Sequence, residues 1–164
     1  MDGKKVGRKL SALELVGALV VVSAAHQACR GQALNVWIDN IGAVDVYKRG
    51  YSRSCRLCTT IAKATATVAA AIGCRLEVVK ITRCTGDGAK MADQLSKARF
   101  AQFRQTAADA GWELRTSPAA IPAVLLSWLD KPFPCDGLGA EILKEIGAQV
   151  PLAGYSEAYN WETA

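Results

Sequence analysis

The spacing of apolar residues along the chain predicts a succession of helices and strands. From Leu13 to Ala24 apolar residues recur at helical spacing and cover most of the circumference, which predicts a helix buried on more than one face. Ser11 and Glu14 form a capping-box pattern, so this helix is expected to begin at Ser11 and to end near Arg30. The preceding residues are basic, and we expect them to be extended or flexible.

Two further apolar segments predict strands. Residues 33–39 alternate apolar and polar side chains, and residues 76–82 form a second strand-like segment. Helices are predicted over residues 41–48, 55–72 and 90–110, the last in one piece or two. This order predicts an α/β fold with at least two parallel strands. Because two strands are too few for a stable sheet, further strands are expected either upstream of the chain or in its tail.

The composition changes after the last of these helices. A linker containing Ser and Pro follows, and short helices are predicted over residues 120–129 and 138–146. The final residues are aromatic and are expected to form a loop. We therefore expect a main domain over residues 1–112, followed by a linker and a small helical extension over residues 113–164.

Composition indicates a globular chain with a modest positive charge. Its 164 residues are 51% hydrophobic and 21% charged, and the net charge of +5 mildly favours an anionic partner such as nucleic acid. Its six cysteines lie in helix-like or strand-like patterns, so reduced thiols in a cytoplasmic or nuclear protein are expected. The alternative is a secreted protein with disulfides, because the N-terminus has the outline of a secretory signal. Glu14 at the start of the apolar run counts against that alternative.

Three carboxylates are candidates for one metal site. Asp39 ends the first predicted strand, and Asp93 is expected in the first turn of the helix after the second strand. Glu14 can join them at the carboxyl ends of the strands if its helix faces inward. Converging carboxylates suit Mg²⁺, which prefers oxygen ligands. Each residue also has a plain structural explanation, because all three could serve helix starts, with Asp39 and Asn40 capping the next helix.

Three segments together resemble the ribonuclease H fold. The first helix of that family, with its inward-facing glutamate, is similar to SALELVGALVVV. The following strand, which ends in Asp-Asn or Asp-Ser, is similar to LNVWIDN. The last strand, loop and helix are similar to KITRCTGDGAKMADQLSK, which is closest to the domain that follows reverse transcriptase in DIRS-type and related retroelements. The resemblance covers about residues 8–100.

This resemblance implies a truncated ribonuclease H-like mixed sheet flanked by helices, with a small helical C-terminal extension. It implies that Glu14, Asp39 and Asp93 are catalytic, metal-binding carboxylates for Mg²⁺ or Mn²⁺. The implied activity is two-metal hydrolysis of the RNA strand of an RNA–DNA hybrid. The implied partners are that hybrid or another nucleic acid and the upstream reverse transcriptase region, with no membrane.

The chain also departs from this family. The family begins with three antiparallel strands, the first of which carries an essential Asp, and the residues before Ser11 are too few to form them. Val6 and Gly7 are interpreted as a remnant of the third strand. This departure implies a fragment of a longer polyprotein or a degenerate domain with impaired catalysis. A non-catalytic ribonuclease H-like module that binds nucleic acid or scaffolds a partner is therefore an alternative function.

Two further motifs lie between the second and third predicted helices. The first is a basic turn, which could contact phosphates or could be an ordinary solvated loop. It consists of Lys48, Arg49, Tyr51, Arg53 and Arg56. The second is Cys55 with Cys58, whose spacing suits a redox or zinc pair. Because free cysteine is among the most buried residue types, buried structural thiols are the favoured interpretation.

Overall fold

The computed structural model describes residues 3–81, 86–114, 121–127 and 137–148, with the backbone alone for residues 3–11. The chain divides into two compact units. The first unit comprises Met1–Lys80 with Ala119–Ala164, and the second comprises Ile81–Pro118. This division differs from the predicted boundary between residues 112 and 113. Most of the predicted linker and the whole of the tail from residue 149 lie outside the described residues.

The first helix starts earlier than its sequence pattern predicts. Helix α1 spans Gly3–Ala24, so Ser11 lies inside the helix and the predicted capping box at its start is wrong. The interpretation of Val6 and Gly7 as a strand remnant is also wrong, because both are helical. Lysine, arginine and leucine are good helix formers, and they continue the helix across the basic segment. The predicted single helix to Arg30 is interrupted after α1, and α2 spans only His26–Cys29.

Two parallel strands form the sheet of the first unit. Strand β1 spans Ala33–Ile38 and β2 spans Arg75–Lys80, in a register that places Leu34 beside Leu76 and Trp37 beside Val79. The two helices between them are α3, Ile41–Arg49, and α4, Arg56–Ala71. The predicted α/β class and parallel pairing are confirmed. Within the described residues the sheet contains these two strands and no others.

The core of the first unit forms where α1 and α4 pack together and α8, Leu138–Glu145, packs on α4. The helix predicted as part of a separate extension thus belongs to this core. Burying one such leucine or isoleucine contributes about 1.5–3 kcal/mol. Fully buried side chains come from all three helices: Leu15, Leu19, Val22, Ile61, Val68, Ile142 and Leu143.

Gly139 lets α8 approach α4 closely. A Cβ atom at this position would lie 3.0 Å from Cβ of Thr67 and 3.3 Å from the backbone Cα of Ala64. The neighbouring helix α7 is shorter than predicted and spans Ala123–Leu126. The Glu145 carboxylate accepts hydrogen bonds from the first two N–H groups of α7, so α8 also anchors that helix.

The second unit is a pair of helices. Helix α5 spans Asp87–Ser96 and α6 spans Phe100–Asp109. Gln94 joins them, because its Nε2 donates a hydrogen bond to Oγ1 of Thr106 over 3.0 Å. Across the described residues, no helix combines the length and the apolar character needed to cross a membrane.

Candidate functional site

Two of the three predicted carboxylates meet at the carboxyl end of β1. Asp39 follows the last residue of that strand, and Glu14 lies on α1 where this helix passes the start of α3. Oε2 of Glu14 accepts a hydrogen bond from the backbone N–H of Asn40 over 3.2 Å. Asp39 is near enough to Glu14 for its charge, in addition to burial, to raise the pKa of the Glu14 carboxyl. The packing of α1 therefore meets the condition under which Glu14 was expected to join Asp39 at the end of the strand, while the metal-binding role of the pair stays a prediction.

The electrostatics of this pair are unfavourable to two negative charges. The pKa of Glu14 is raised above its ordinary value, first because the carboxyl is partly buried and second because the charge of Asp39 repels it. The hydrogen bond from the Asn40 N–H acts in the opposite direction, but the pKa remains raised. Two carboxyl groups that repel each other at a strand end form a location where a bound cation would relieve the repulsion.

Asn40 fixes the geometry of the pair from the other side. Its side-chain Oδ1 accepts hydrogen bonds from the N–H groups of Gly42, at 2.9 Å, and Ala43, at 3.2 Å, and so caps α3. The structural explanation of Asn40 as a cap is therefore confirmed. The same residue therefore caps α3 through its side chain and binds Glu14 through its backbone N–H.

A buried hydrogen-bond network holds the helix that carries Glu14. The Tyr47 hydroxyl of α3 donates to the backbone carbonyl of Leu15 over 3.1 Å and shares a hydrogen bond with Oγ1 of Thr65 over 3.0 Å. Burial raises the pKa of the Tyr47 phenol well above its usual range. No sequence motif predicts these hydrogen bonds between α1, α3 and α4, because Tyr47 lies beside the basic turn and was interpreted as part of that surface.

The third predicted carboxylate lies in the second unit. Asp93 is the seventh residue of α5, so its predicted place in the first turn of the helix is wrong, and Asp87 occupies that turn instead. Asp93 is exposed and forms an ion pair with Lys97, whose Nζ lies 2.8 Å from Oδ2. Within the described parts of the chain, no group of three or more His, Cys, Asp or Glu side chains is arranged to hold a metal ion.

The basic turn links the end of α3 to the start of α4. All five of its predicted contact residues are exposed: Lys48, Arg49, Tyr51, Arg53 and Arg56. Arg49 forms an ion pair with Asp45 at 3.9 Å. Arg56 and Lys63 line a cleft of about 370 Å³ between α4 and the start of α8. Sequence reasoning missed Lys63, although its position two helical turns after Arg56 places the two cations on one face of α4.

The four described cysteines are free thiols. Cys29, Cys58 and Cys74 are buried, which agrees with the favoured interpretation, whereas Cys55 is partly exposed at the start of α4. Cys84 and Cys135 lie outside the described residues. Comparison of the chain with protein families, with curated proteins and with solved structures found no match in any of the three.

Proposed function

We propose that this chain is a ribonuclease H-like domain of a retroelement reverse transcriptase, which hydrolyses the RNA strand of an RNA–DNA hybrid. The observation that carries the proposal is the Glu14–Asp39 carboxyl pair at the end of a strand in a parallel α/β unit. Ligand sites in such sheets form outside the carboxyl ends of the strands. A domain of this kind would act in the cytoplasm or nucleus, beside the upstream reverse transcriptase region.

The donor chemistry of the pair fits Mg²⁺ or Mn²⁺. These ions bind through one or two carboxylates together with water and substrate phosphates. Glu14 and Asp39 supply the carboxylates, and the cation would supply Lewis-acid polarisation of the phosphodiester. The N–H of Asn40 donates a hydrogen bond to Oε2 of Glu14 and holds this carboxyl beside Asp39.

Asp93 is treated separately in the proposal. The family resemblance makes it a third carboxylate of the catalytic set, but in the second unit it is paired with Lys97. We therefore assign the cation to Glu14 and Asp39 alone. Asp93→Asn would then leave cation binding unchanged.

The exposed cations of the first unit support hybrid binding. Lys48 and Arg49 end α3, and Arg53 lies between α3 and α4. Arg56 and Lys63 follow on α4. Such side chains attract phosphates without sequence specificity, and the exposed ring of Tyr51 can stack on a base or sugar. The same observation favours a second candidate, a non-catalytic module that binds nucleic acid.

The test is cleavage of an end-labelled RNA–DNA hybrid with Mg²⁺ or Mn²⁺, alongside hybrid binding without metal. We expect metal-dependent cleavage that Asp39→Asn abolishes. The matched control is Glu77→Gln, which neutralises an exposed acid on β2 and should leave cleavage unchanged. Hybrid binding without cleavage would support the non-catalytic module instead. If the wild-type chain neither cleaves nor binds the hybrid, both the nuclease proposal and the non-catalytic binding module are overturned.

A further inference from the structure

The two cysteines at the start of α4 are arranged asymmetrically. Cys55 is the N-cap of the helix, and its Sγ accepts a hydrogen bond from the backbone N–H of Cys58 over 3.4 Å. The Cys55 sulfur therefore lies at the positive end of a helix of 16 residues, 3.4 Å from the backbone nitrogen of Cys58.

Accessibility distinguishes the two sulfurs. Cys55 is partly exposed, while Cys58 is only 2% exposed and packs in the core of the first unit. Burial, and then the neighbouring Cys55, raise the pKa of the Cys58 thiol to about 12. A reagent from solution thus meets Cys55 before Cys58.

We propose that Cys55 and Cys58 form a thiol–disulfide exchange pair whose substrate is a small-molecule disulfide such as oxidised glutathione. Cys55 attacks one sulfur of the disulfide and forms a mixed disulfide, releasing one thiol. Cys58 then attacks the Cys55 sulfur, forming the Cys55–Cys58 disulfide and releasing the second thiol. The two protons of the cysteines leave on the two released thiols. The protein pair loses two electrons, and the external disulfide gains them.

Two alternatives for the pair have weaker support. Zinc would require two further ligands, and no group of three metal-binding side chains exists in the described ranges. A purely structural role is represented by Cys29 and Cys74, which are both buried. Burial first, and then the nearby Cys29, raise the pKa of the Cys74 thiol. Neither of these caps a helix with its sulfur, so they provide an internal control for reactivity.

The test uses the intact native chain equilibrated with mixtures of reduced and oxidised glutathione. After acid quenching and alkylation, trypsin separates the two cysteines by cleaving after Arg56, so a Cys55–Cys58 disulfide joins two peptides, residues 54–56 and 57–63. A Cys29–Cys74 disulfide would join residues 10–30 to residues 64–75 instead. We expect the first cross-linked product to form at glutathione ratios where the second is absent.

Kinetics and variants supply the remaining arms of the test. Iodoacetamide should label Cys55 at least ten-fold faster than Cys58 in the native protein. Cys58→Ala should stop at a glutathione adduct on Cys55, and Cys55→Ser should leave Cys58 unmodified. The proposal is overturned if Cys29 and Cys74 cross-link as readily, if Cys58 is labelled as fast as Cys55, or if stoichiometric zinc protects both thiols. The glutathione and iodoacetamide experiments on the wild-type protein test the proposal even if a variant fails to fold. Their outcome does not depend on the proposed nuclease activity.

Discussion

Two carboxylates that were predicted to share one site have opposite surroundings in the two units. Glu14 is partly buried, faces Asp39 and is held by the N–H of Asn40. Asp93 is exposed and neutralised by Lys97 one helical turn away. The first arrangement keeps a like-charge repulsion that a ligand could relieve, whereas the second has already relieved its charge within the helix. The two carboxylates are therefore distinguished by their neighbours, Asp39 beside Glu14 and Lys97 beside Asp93, and sequence spacing alone does not report this.

Removing the packing that positions Glu14 should give the largest effect. Leu15 is fully buried next to Glu14, so Leu15→Ala leaves a cavity and should lower the free energy of unfolding by about 2–5 kcal/mol. Leu95→Ala removes the same atoms from a side chain of α5 that is 44% exposed, and should change stability by no more than about 0.5 kcal/mol. Urea denaturation followed by circular dichroism measures both. If Leu15→Ala and Leu95→Ala lowered the free energy of unfolding equally, the expected difference in burial between the two units would be wrong.

The second largest effect should be stabilisation by a bound cation, which we expect to depend on Asp39 and not on Asp93. If the Glu14–Asp39 pair binds Mn²⁺ or Mg²⁺, a free cation concentration of one hundred times Kd stabilises the native chain by about 2.7 kcal/mol. Asp39→Asn should abolish this stabilisation, while Asp93→Asn should retain it. Thermal unfolding across a metal titration provides the measurement. If Asp93→Asn reduced the metal-induced stabilisation as much as Asp39→Asn does, the assignment of the cation to Glu14 and Asp39 alone would be wrong.

Much of the fold follows from local patterns in the sequence. The alternation at Leu34, Val36 and Ile38 predicts β1 because one face of the strand is buried against helices. Gly50 and Gly73 end their helices with positive φ angles of 71° and 67°, which glycine adopts without strain. The start of α1 was mispredicted, because a capping-box pattern also occurs inside a helix. The role of α8 was missed, because a sequence does not show that Gly139 lies against Thr67 of α4.

The candidate site can be predicted only in part from the sequence, because its geometry also depends on tertiary contacts. Asp39 could be located because it ends a strand, and Glu14 because it interrupts an apolar helical run. The distance between them depends on how α1 packs against α3, which is a tertiary property. The Tyr47 hydrogen bond to the Leu15 carbonyl belongs to the same packing and has no motif of its own.

The acid dependence of stability should distinguish Glu14 from an ordinary surface acid. Because its pKa is raised in the folded state, the folded chain binds this proton more tightly than the unfolded chain does. The resulting stability is fully present below the ordinary pKa of 4.5 and is lost as the pH rises through the folded pKa. Glu14→Gln keeps an oxygen for the Asn40 N–H and removes the ionisation. It should therefore be more stable than the wild type at pH 7 by roughly 0.5 kcal/mol, since solvent screens the partly exposed group.

Urea denaturation of both proteins at pH 3.5 and pH 7 measures this dependence. The advantage of Glu14→Gln should shrink at the lower pH, because Glu14 is then protonated in the wild type as well. Glu77→Gln controls for the loss of an exposed acid on β2. An advantage that stays constant with pH would mean that the substitution acts through packing and not through the ionisation of Glu14.

The ion pair of the second unit should give the smallest effect. Lys97 and Asp93 are about half exposed and four residues apart on α5, and such pairs stabilise a helix by about 0.3–0.5 kcal/mol. A double-mutant cycle with Lys97→Ala and Asp93→Asn isolates the coupling, and amide hydrogen exchange in α5 reports it locally. The coupling should fall when salt is raised, because exposed charges are screened. A coupling above about 1 kcal/mol that resists salt would mean that Asp93 is as shielded from water as Glu14, and the contrast between the two carboxylates would then fail.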